Sequence, residues 1–277
     1  MVKVSFITFT KNSGIKLKIL LEHVKDIVDE IIVIDGYSTD NTIEIAKSLG
    51  AKVYLRKPWG FVEPDRMFAL KKASYDWILY LDDDERLNNK LKNELKDILD
   101  YCEKEGYDAL SILRIDYDRR CNGLVLGSFY NRQIRVFKKD KALYKGLIHE
   151  LPLIRGRVLE LPEEYYILHF PNINLRKLVK YAYIEVLEKY KFITKSKFKS
   201  ILWKLSPFSI IAIWFYYLIF NIAYKKLFGV CTIKNEFYLA IYETLIHTLI
   251  KFRSVRREII AKIISSHGLI QILNLDQ

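Results

Sequence analysis

The 277 residues suffice for one large domain, or a domain with an extension, and for a sizeable core. A hydrophobic content of 51% with 28% charged residues excludes a disordered or low-complexity chain. The net charge of +12 is uneven: residues 1–170 hold 28 Lys and Arg against 27 Asp and Glu, whereas residues 171–277 hold 17 against 6. A neutral body with a basic tail is not the layout of a nucleic-acid binder, whose charge spreads over the fold or gathers on one reading helix.

Val2–Thr10 is a short apolar run that meets polar residues without a small-residue cleavage site, so it reads as a first strand rather than a leader. Glu30–Ile34, Lys52–Leu55 and Trp77–Leu81 are also short and rich in Val, Ile and aromatic residues, the marks of strands. Helical patterns lie between them. In Ile15–Val28 the apolar residues Leu17, Leu20, Leu21, Val24 and Val28 recur at three- and four-residue steps behind a capping candidate, Ser13. Thr42–Leu49 and Pro64–Ala73 repeat the pattern more briefly, with Pro64 suited to a first turn. Alternating strands and helices predict parallel strands with right-handed crossovers, a Rossmann-like sheet.

A helix is expected over about Asn88–Glu105, then an alternating strand, Ala109–Tyr117, and a hairpin-like stretch through Gly123 and Gly127 to Ile134–Lys138. The second half of the body therefore reads as antiparallel and the whole sheet as mixed. The tail begins near Pro171. Residues 175–199 read as a basic amphipathic helix, and Leu205–Tyr224 is uncharged between Lys204 and Lys225-Lys226. Its length matches a bilayer span of roughly 20 residues. Lysines at both ends give no orientation, however, and Trp214, Tyr216 and Tyr217 stand mid-run rather than at interfaces. Contact with a membrane surface is the expected role, with a buried or oligomerising helix and a true span as alternatives. Glu236, Glu243, His247 and Lys251 form one solvent-facing stripe on a further helix, Glu236–Lys251, and need no catalytic explanation. The three cysteines, Cys102, Cys121 and Cys231, are odd in number and form no Cys-x-x-Cys pair, which points to a reducing, cytoplasmic compartment.

Open α/β sheets bind ligands beyond the carboxyl ends of their strands. Three polar clusters are expected there: Thr10-Lys11-Asn12, the loop from Asp35 through Asp40 to Thr42, and Asp82-Asp83-Asp84-Glu85. Carboxylates this close repel one another by about 1 kcal/mol per pair at 4 Å in water, more in a closed cleft. A hard divalent cation, Mg²⁺ or Mn²⁺, would relieve them. A helix cap would need one aspartate, not three. In the second cluster Asp40 or Asn41 is placed to cap the helix from Thr42, whereas Asp35 has no such duty and is free to accept from a base or a ribose. No GxGxxG or P-loop is present.

On these residues the sequence resembles the family 2 glycosyltransferases, which have the GT-A fold. Thr10-Lys11-Asn12 is similar to their first strand-end motif, DGYSTDNT at 35–42 to their DDGSTDNT loop, and Asp82–Asp84 to their DxD metal motif. RMFALKKASYDWILYLDDDE at 66–85, then RQIRVF at 132–137, GLIHE at 146–150 and LHF at 168–170, resemble the subgroup containing lipopolysaccharide-core glucosyltransferases. Met67 and Ser13 depart from that pattern, which has Asn and an acidic residue there.

The resemblance implies an α/β GT-A domain over residues 1–170 with an α-helical extension over 171–277. It also implies inverting transfer of a sugar from a UDP-, GDP- or dTDP-linked donor to a saccharide or lipid-linked acceptor, with a divalent cation. Asp35 would contact the base, Asp82 the ribose or the metal, and Asp84 the metal. Thr10, Asn12, Asp40, Asp83, Arg66, Arg132 and Arg135 would complete the nucleotide site, and His149 would bind metal or phosphate. Inversion needs a base, for which Glu150 is the candidate and Asp116 or Asp118 the alternatives. His169 is either a further metal or diphosphate ligand or a core residue. The rival readings are a nucleotidyltransferase and a non-catalytic nucleotide-sugar-binding membrane protein. Donor sugar, acceptor and oligomeric state are not legible in the sequence.

Overall fold

The computed structural model describes residues 2–57, 63–118, 123–125, 131–144 and 151–170. The roles expected of Glu150, His149 and the tail from 171 onward lie outside the described residues, as does Gly127. The chain divides into two units, Met1–Pro171 and Asn172–Gln277, and the first is the body described here.

Strands β1 (Val4–Thr10), β2 (Glu30–Asp35) and β3 (Lys52–Leu55) alternate with helices α1 (Gly14–Val24) and α2 (Thr42–Ser48). Helix α3 (Glu63–Lys72) then leads to β4 (Trp77–Tyr80), β5 (Glu85–Leu87) and helix α4 (Asn89–Glu105). The second half contributes β6 (Ala109–Asp118), β7 (Gly123–Val125), β8 (Asn131–Lys138), β9 (Ala142–Leu143), β10 (Leu153–Ile154), β11 (Val158–Glu160) and β12 (Tyr166–His169). The main sheet runs β3-β2-β1-β4-β8-β6-β12-β5, with β7 and β11 also paired to β6, while β9 and β10 form a separate pair. Strands β1 to β4 are mutually parallel; β8 is antiparallel to both β4 and β6; β12 is parallel to β6. Among the described residues, β1, β2, β3, β4, β6 and β12 therefore run the same way and end at one edge, and β11 runs with them beside the start of β6. This is the α/β, Rossmann-like mixed sheet with flanking helices expected of the GT-A fold.

The central strands are buried on both faces, as a sheet covered by helices requires. On one face Phe6, Val33 and Leu79 pack with Leu17, Leu20 and Leu21 of α1 and Leu91, Leu95 and Leu99 of α4. On the other Ile7, Ile32, Ile78 and Phe137 pack with Ala69 and Leu70 of α3. Helix α4 shows how sequence makes the element. Asn88 caps it by accepting from Leu91 N at 3.1 Å, its buried residues fall on one face, and Gly106 ends it at φ 73.

Local geometry corrects several expectations. Helix α1 stops at Val24, because Asp29 turns back to β1: Val4 N donates to Asp29 Oδ2 at 2.9 Å and Asp29 N to Val4 O at 2.9 Å. Val28 keeps its place against the core without being helical. Ser13 and Asn41 occupy the N-cap positions of α1 and α2 but make no side-chain cap bond. Asp40 instead accepts from Thr42 N at 3.1 Å.

Candidate active site

The common strand edge gathers Thr10 and Asp35, partners in the β1–β2 register, with Asp82 just beyond β4 and with Asp116 and His169, partners in the β6–β12 register. Asp35 is fully buried. Its Oδ1 accepts from Ser38 N at 2.7 Å and its Oδ2 from Ser38 Oγ at 2.6 Å. Asn12 stitches the same loop to β1: its N donates to Ser38 Oγ at 2.8 Å, and its Oδ1 accepts from Thr39 N at 2.8 Å. Asp40 is turned away to Thr42, whose hydroxyl also accepts from Ser13 N at 2.9 Å. Thr10 is buried, and its Oγ1 has no hydrogen-bond partner among the described residues.

The acidic cluster is not four equivalent carboxylates. Asp82 accepts from the Tyr80 hydroxyl and, on Oδ2, from Arg135 Nη2 at 2.8 Å. Burial disfavours its charge, but the Arg135 and Arg66 guanidiniums outweigh burial and hold the carboxyl below its usual range. Glu85 is wholly buried in β5 and turned inward. Its Oε1 accepts from Arg135 Nη2 at 2.7 Å and from Arg114 Nη1 at 3.3 Å, and its Oε2 from Asp82 N at 3.1 Å. Asp83 gives its carbonyl to Arg86 Nη1 at 3.0 Å.

Asp84 differs from these. Its side chain is mostly buried, and its Oδ1 lies 3.7 Å from His169 Nε2, too far for a hydrogen bond. Burial pushes its carboxyl up, with neighbouring Asp82, Asp83 and Glu85 adding to the rise against the pull of His169. His169 Nδ1 meets Asp116 Oδ1 at 2.7 Å, and Phe170 N donates to Asp84 O at 2.7 Å, so β12 locks the imidazole beside the acidic turn.

The arginines divide. Arg66 and Arg135 are buried, each with its guanidinium 4.7 Å from the Tyr80 ring centroid, and Arg66 also lies 5.0 Å from that of Tyr144. Arg132 is directed elsewhere: its Nη1 donates to Ser111 O at 3.1 Å and Leu161 O at 2.8 Å, and its Nε pairs with Glu160 at 3.0 Å. The structure thus brings Asp35, Asn12, Thr10, Asp82, Asp84, Arg66 and Arg135 to the edge region, whereas Arg132 binds backbone at a different part of the sheet. Sequence reasoning did not find Glu85 as a buried partner, Tyr80 as a ligand of Asp82, or Ser38 as the group that closes Asp35. Two-residue periodicity, which puts Tyr80 and Asp82 on one face, is the available signal for one of them.

Among the described residues no three His, Cys, Asp or Glu side chains converge as a ready-made metal centre. The local chemistry nonetheless fits a hard cation. Asp84 is a mostly buried oxygen donor with no cationic partner closer than an imidazole among the described residues, and Mg²⁺ commonly takes only one or two protein carboxylates, with phosphate and water supplying the rest.

Residues 5–156, more than half of the chain, match the family model described as Glycosyl transferase family 2. An uncharacterized glycosyltransferase of Rickettsia felis is 30% identical over 241 residues, covering 83% of this chain and 82% of that protein. Another, from Rickettsia conorii, is 29% identical over 240 residues, 82% of each chain. Among solved structures, Staphylococcus aureus TarS 1–349 in complex with UDP-GlcNAc covers 68% of this chain and 66% of its own, at 18% identity and a TM-score of 0.49. An α/β body with polar strand ends on one edge, matched along most of its length by glycosyltransferase relatives, is a glycosyltransferase. The chain belongs to glycosyl transferase family 2.

Proposed function

We propose that the chain transfers a sugar, with inversion, from a nucleoside diphosphate donor to a saccharide or lipid-linked acceptor. One observation carries the reading: Asp35 and the Asp82–Asp84 pair stand at the same end of the parallel strands β2 and β4, with β1 and its Thr10 between them, the first able to meet a base and the second a ribose and a diphosphate. Asp82, kept ionised by Arg135, accepts from ribose hydroxyls. Asp84, with His169 beside it, would hold a divalent cation, which would supply charge stabilisation to the departing diphosphate. Arg66 and Arg135 add positive potential behind the carboxylates.

Glu150 remains our candidate for the base that takes the acceptor's proton. Support comes from its rival Asp116, which is 5% exposed and whose Oδ1 is engaged by His169. The +11 excess of residues 171–277 favours docking on anionic lipid at the cytoplasmic membrane face, at about 1 kcal/mol per basic residue near the surface.

The test is nucleoside diphosphate release from a panel of UDP-, GDP- and dTDP-sugars with Mn²⁺ and a mixed glycan and glycolipid acceptor pool. Release of nucleoside diphosphate is expected. Pyrophosphate release would mark a nucleotidyltransferase, and no release of either would mark a binding protein. Full-length protein is also expected to float with anionic liposomes at low salt.

A further inference from the structure

The loop between β2 and α2 carries a residue that its own packing does not explain. Tyr37 has φ 58, the left-handed conformation that bulky residues avoid, and it is 55% exposed, so no burial of the ring compensates for the strain. In the DDGSTDNT pattern that this loop resembles, the same position is glycine, for which that conformation is ordinary. Strain of this kind persists where surrounding structure over-determines it, and it clusters at ligand sites.

Here the surroundings do over-determine it. Ser38, the next residue, is bonded through N and Oγ to the two oxygens of Asp35, and Asn12 holds Ser38 and Thr39 from the β1 side. Gly36, the preceding residue, leaves room for the Lys11 stem: a Cβ there would stand 3.3 Å from Lys11 Cδ. Tyr37 is therefore mounted on a braced loop at the carboxyl end of β2, next to the buried Asp35. On the adjoining strand, Thr10 is 7% exposed with its hydroxyl unpartnered among the described residues. An exposed aromatic residue on a braced loop, two residues after a buried carboxylate whose partner on the adjoining strand carries an unsatisfied hydroxyl, suits a flat heteroaromatic ligand with polar edges.

We infer that Tyr37 is the platform on which the nucleobase of the donor stacks. The inference rests on the nucleotide-sugar reading above and deepens it by naming a residue on the base side. Stacking is tolerant of base identity, since every base has a π-face, so Tyr37 supplies affinity and leaves the choice of base to the groups that meet its edge. Because the loop is already ordered, little conformational freedom is lost on binding.

Calorimetric titration of wild type, Tyr37→Gly and Tyr37→Phe with UDP, GDP and dTDP in the presence of Mn²⁺ tests this, with inorganic pyrophosphate and Mn²⁺ as the probe that lacks a base. Tyr37→Gly is expected to weaken nucleoside diphosphate binding by about tenfold or more, to leave pyrophosphate binding unchanged, and to melt at the same or a higher temperature. Tyr37→Phe is expected to bind as wild type does. Wild-type nucleotide binding that Tyr37→Gly leaves intact overturns this inference alone. Equal loss of pyrophosphate and nucleotide, or a lowered melting temperature, makes Tyr37 a loop scaffold and also overturns it. Wild type that binds none of the three nucleotides overturns the nucleotide reading and this inference with it.

Discussion

One nitrogen of Arg135 serves both Asp82 and Glu85, and Glu85 is wholly buried. Removing a partner from such an arrangement leaves a charge without compensation, which typically costs about 3–5 kcal/mol. Arg135→Met is therefore expected to lower unfolding free energy by about 3 kcal/mol in urea titration, since Arg114 still faces Glu85. Arg135→Met with Glu85→Gln is expected to recover part of that loss, because the second change removes the stranded charge. At Asp84 the effect should appear in cation affinity rather than stability. Asp84→Asn is expected to raise the Mn²⁺ concentration for half-maximal activity by about tenfold, or 1.4 kcal/mol, with the melting temperature unchanged or raised. An unchanged Mn²⁺ requirement would remove Asp84 from the cation site. The aspartate trio was legible as a candidate site because adjacent like charges at a strand end need a partner. That Arg135 neutralises two of the neighbouring carboxylates was not legible, since donor and acceptor are 53 and 50 residues apart.

Among elements, α4 was the most legible, because Leu91, Leu95, Leu99 and Cys102 recur at helical spacing between an Asn cap and a left-handed glycine. Leu95 has no exposed surface, so Leu95→Ala should cost about 2–5 kcal/mol, measured by chemical denaturation, with the site geometry intact. A loss below about 1 kcal/mol would mean that the helix can collapse onto the gap. The four-residue overreach at α1 has a local cause. Ile27 and Val28 continue the apolar rhythm, but the chain has already turned to let Asp29 bond with Val4. Periodicity reports which residues face the core and not whether the backbone between them is helical. β5, β9, β10, β11 and β12 were not anticipated, since two- to four-residue strands depend on a neighbour for their pairing more than on their own composition.

For the molecule as a whole, His23 and Glu30 join Asp82 in shaping the response to acid. Burial of His23, reinforced by Lys92 and Arg86, lowers its pKa from 6.5 to about 4. Burial raises the Glu30 carboxyl, but the Lys52 ammonium and hydrogen bonds from Ser5 and Ser74 outweigh it and hold the pKa at about 2, against 4.5 unperturbed. In both cases the unfolded chain binds protons before the folded one does, so stability is lost as pH falls. The His23 contribution is complete above pH 6.5 and disappears as pH approaches about 4; the Glu30 contribution follows from 4.5 toward about 2. Calorimetric melting temperature should therefore drop in two overlapping steps below neutrality. His23→Gln should remove the upper step, and if it leaves the profile unchanged, His23 is not the group responsible.

Read alone, the sequence settles the alternation of strands and helices, the carboxyl ends at which polar residues collect, and the separation of a neutral body from a basic tail. These follow from short-range patterning, because hydrophobic period and turn chemistry act within a few residues. Which carboxylates are neutralised by arginine and which has only an imidazole beside it is a different matter, since it follows from the order β4-β8-β6-β12. That order lays Arg135 beneath Asp82 and Glu85 and sets His169 between Asp116 and Asp84. Coulombic pairing depends on distance in space, and only the folded sheet brings groups so far apart along the chain to within 4 Å.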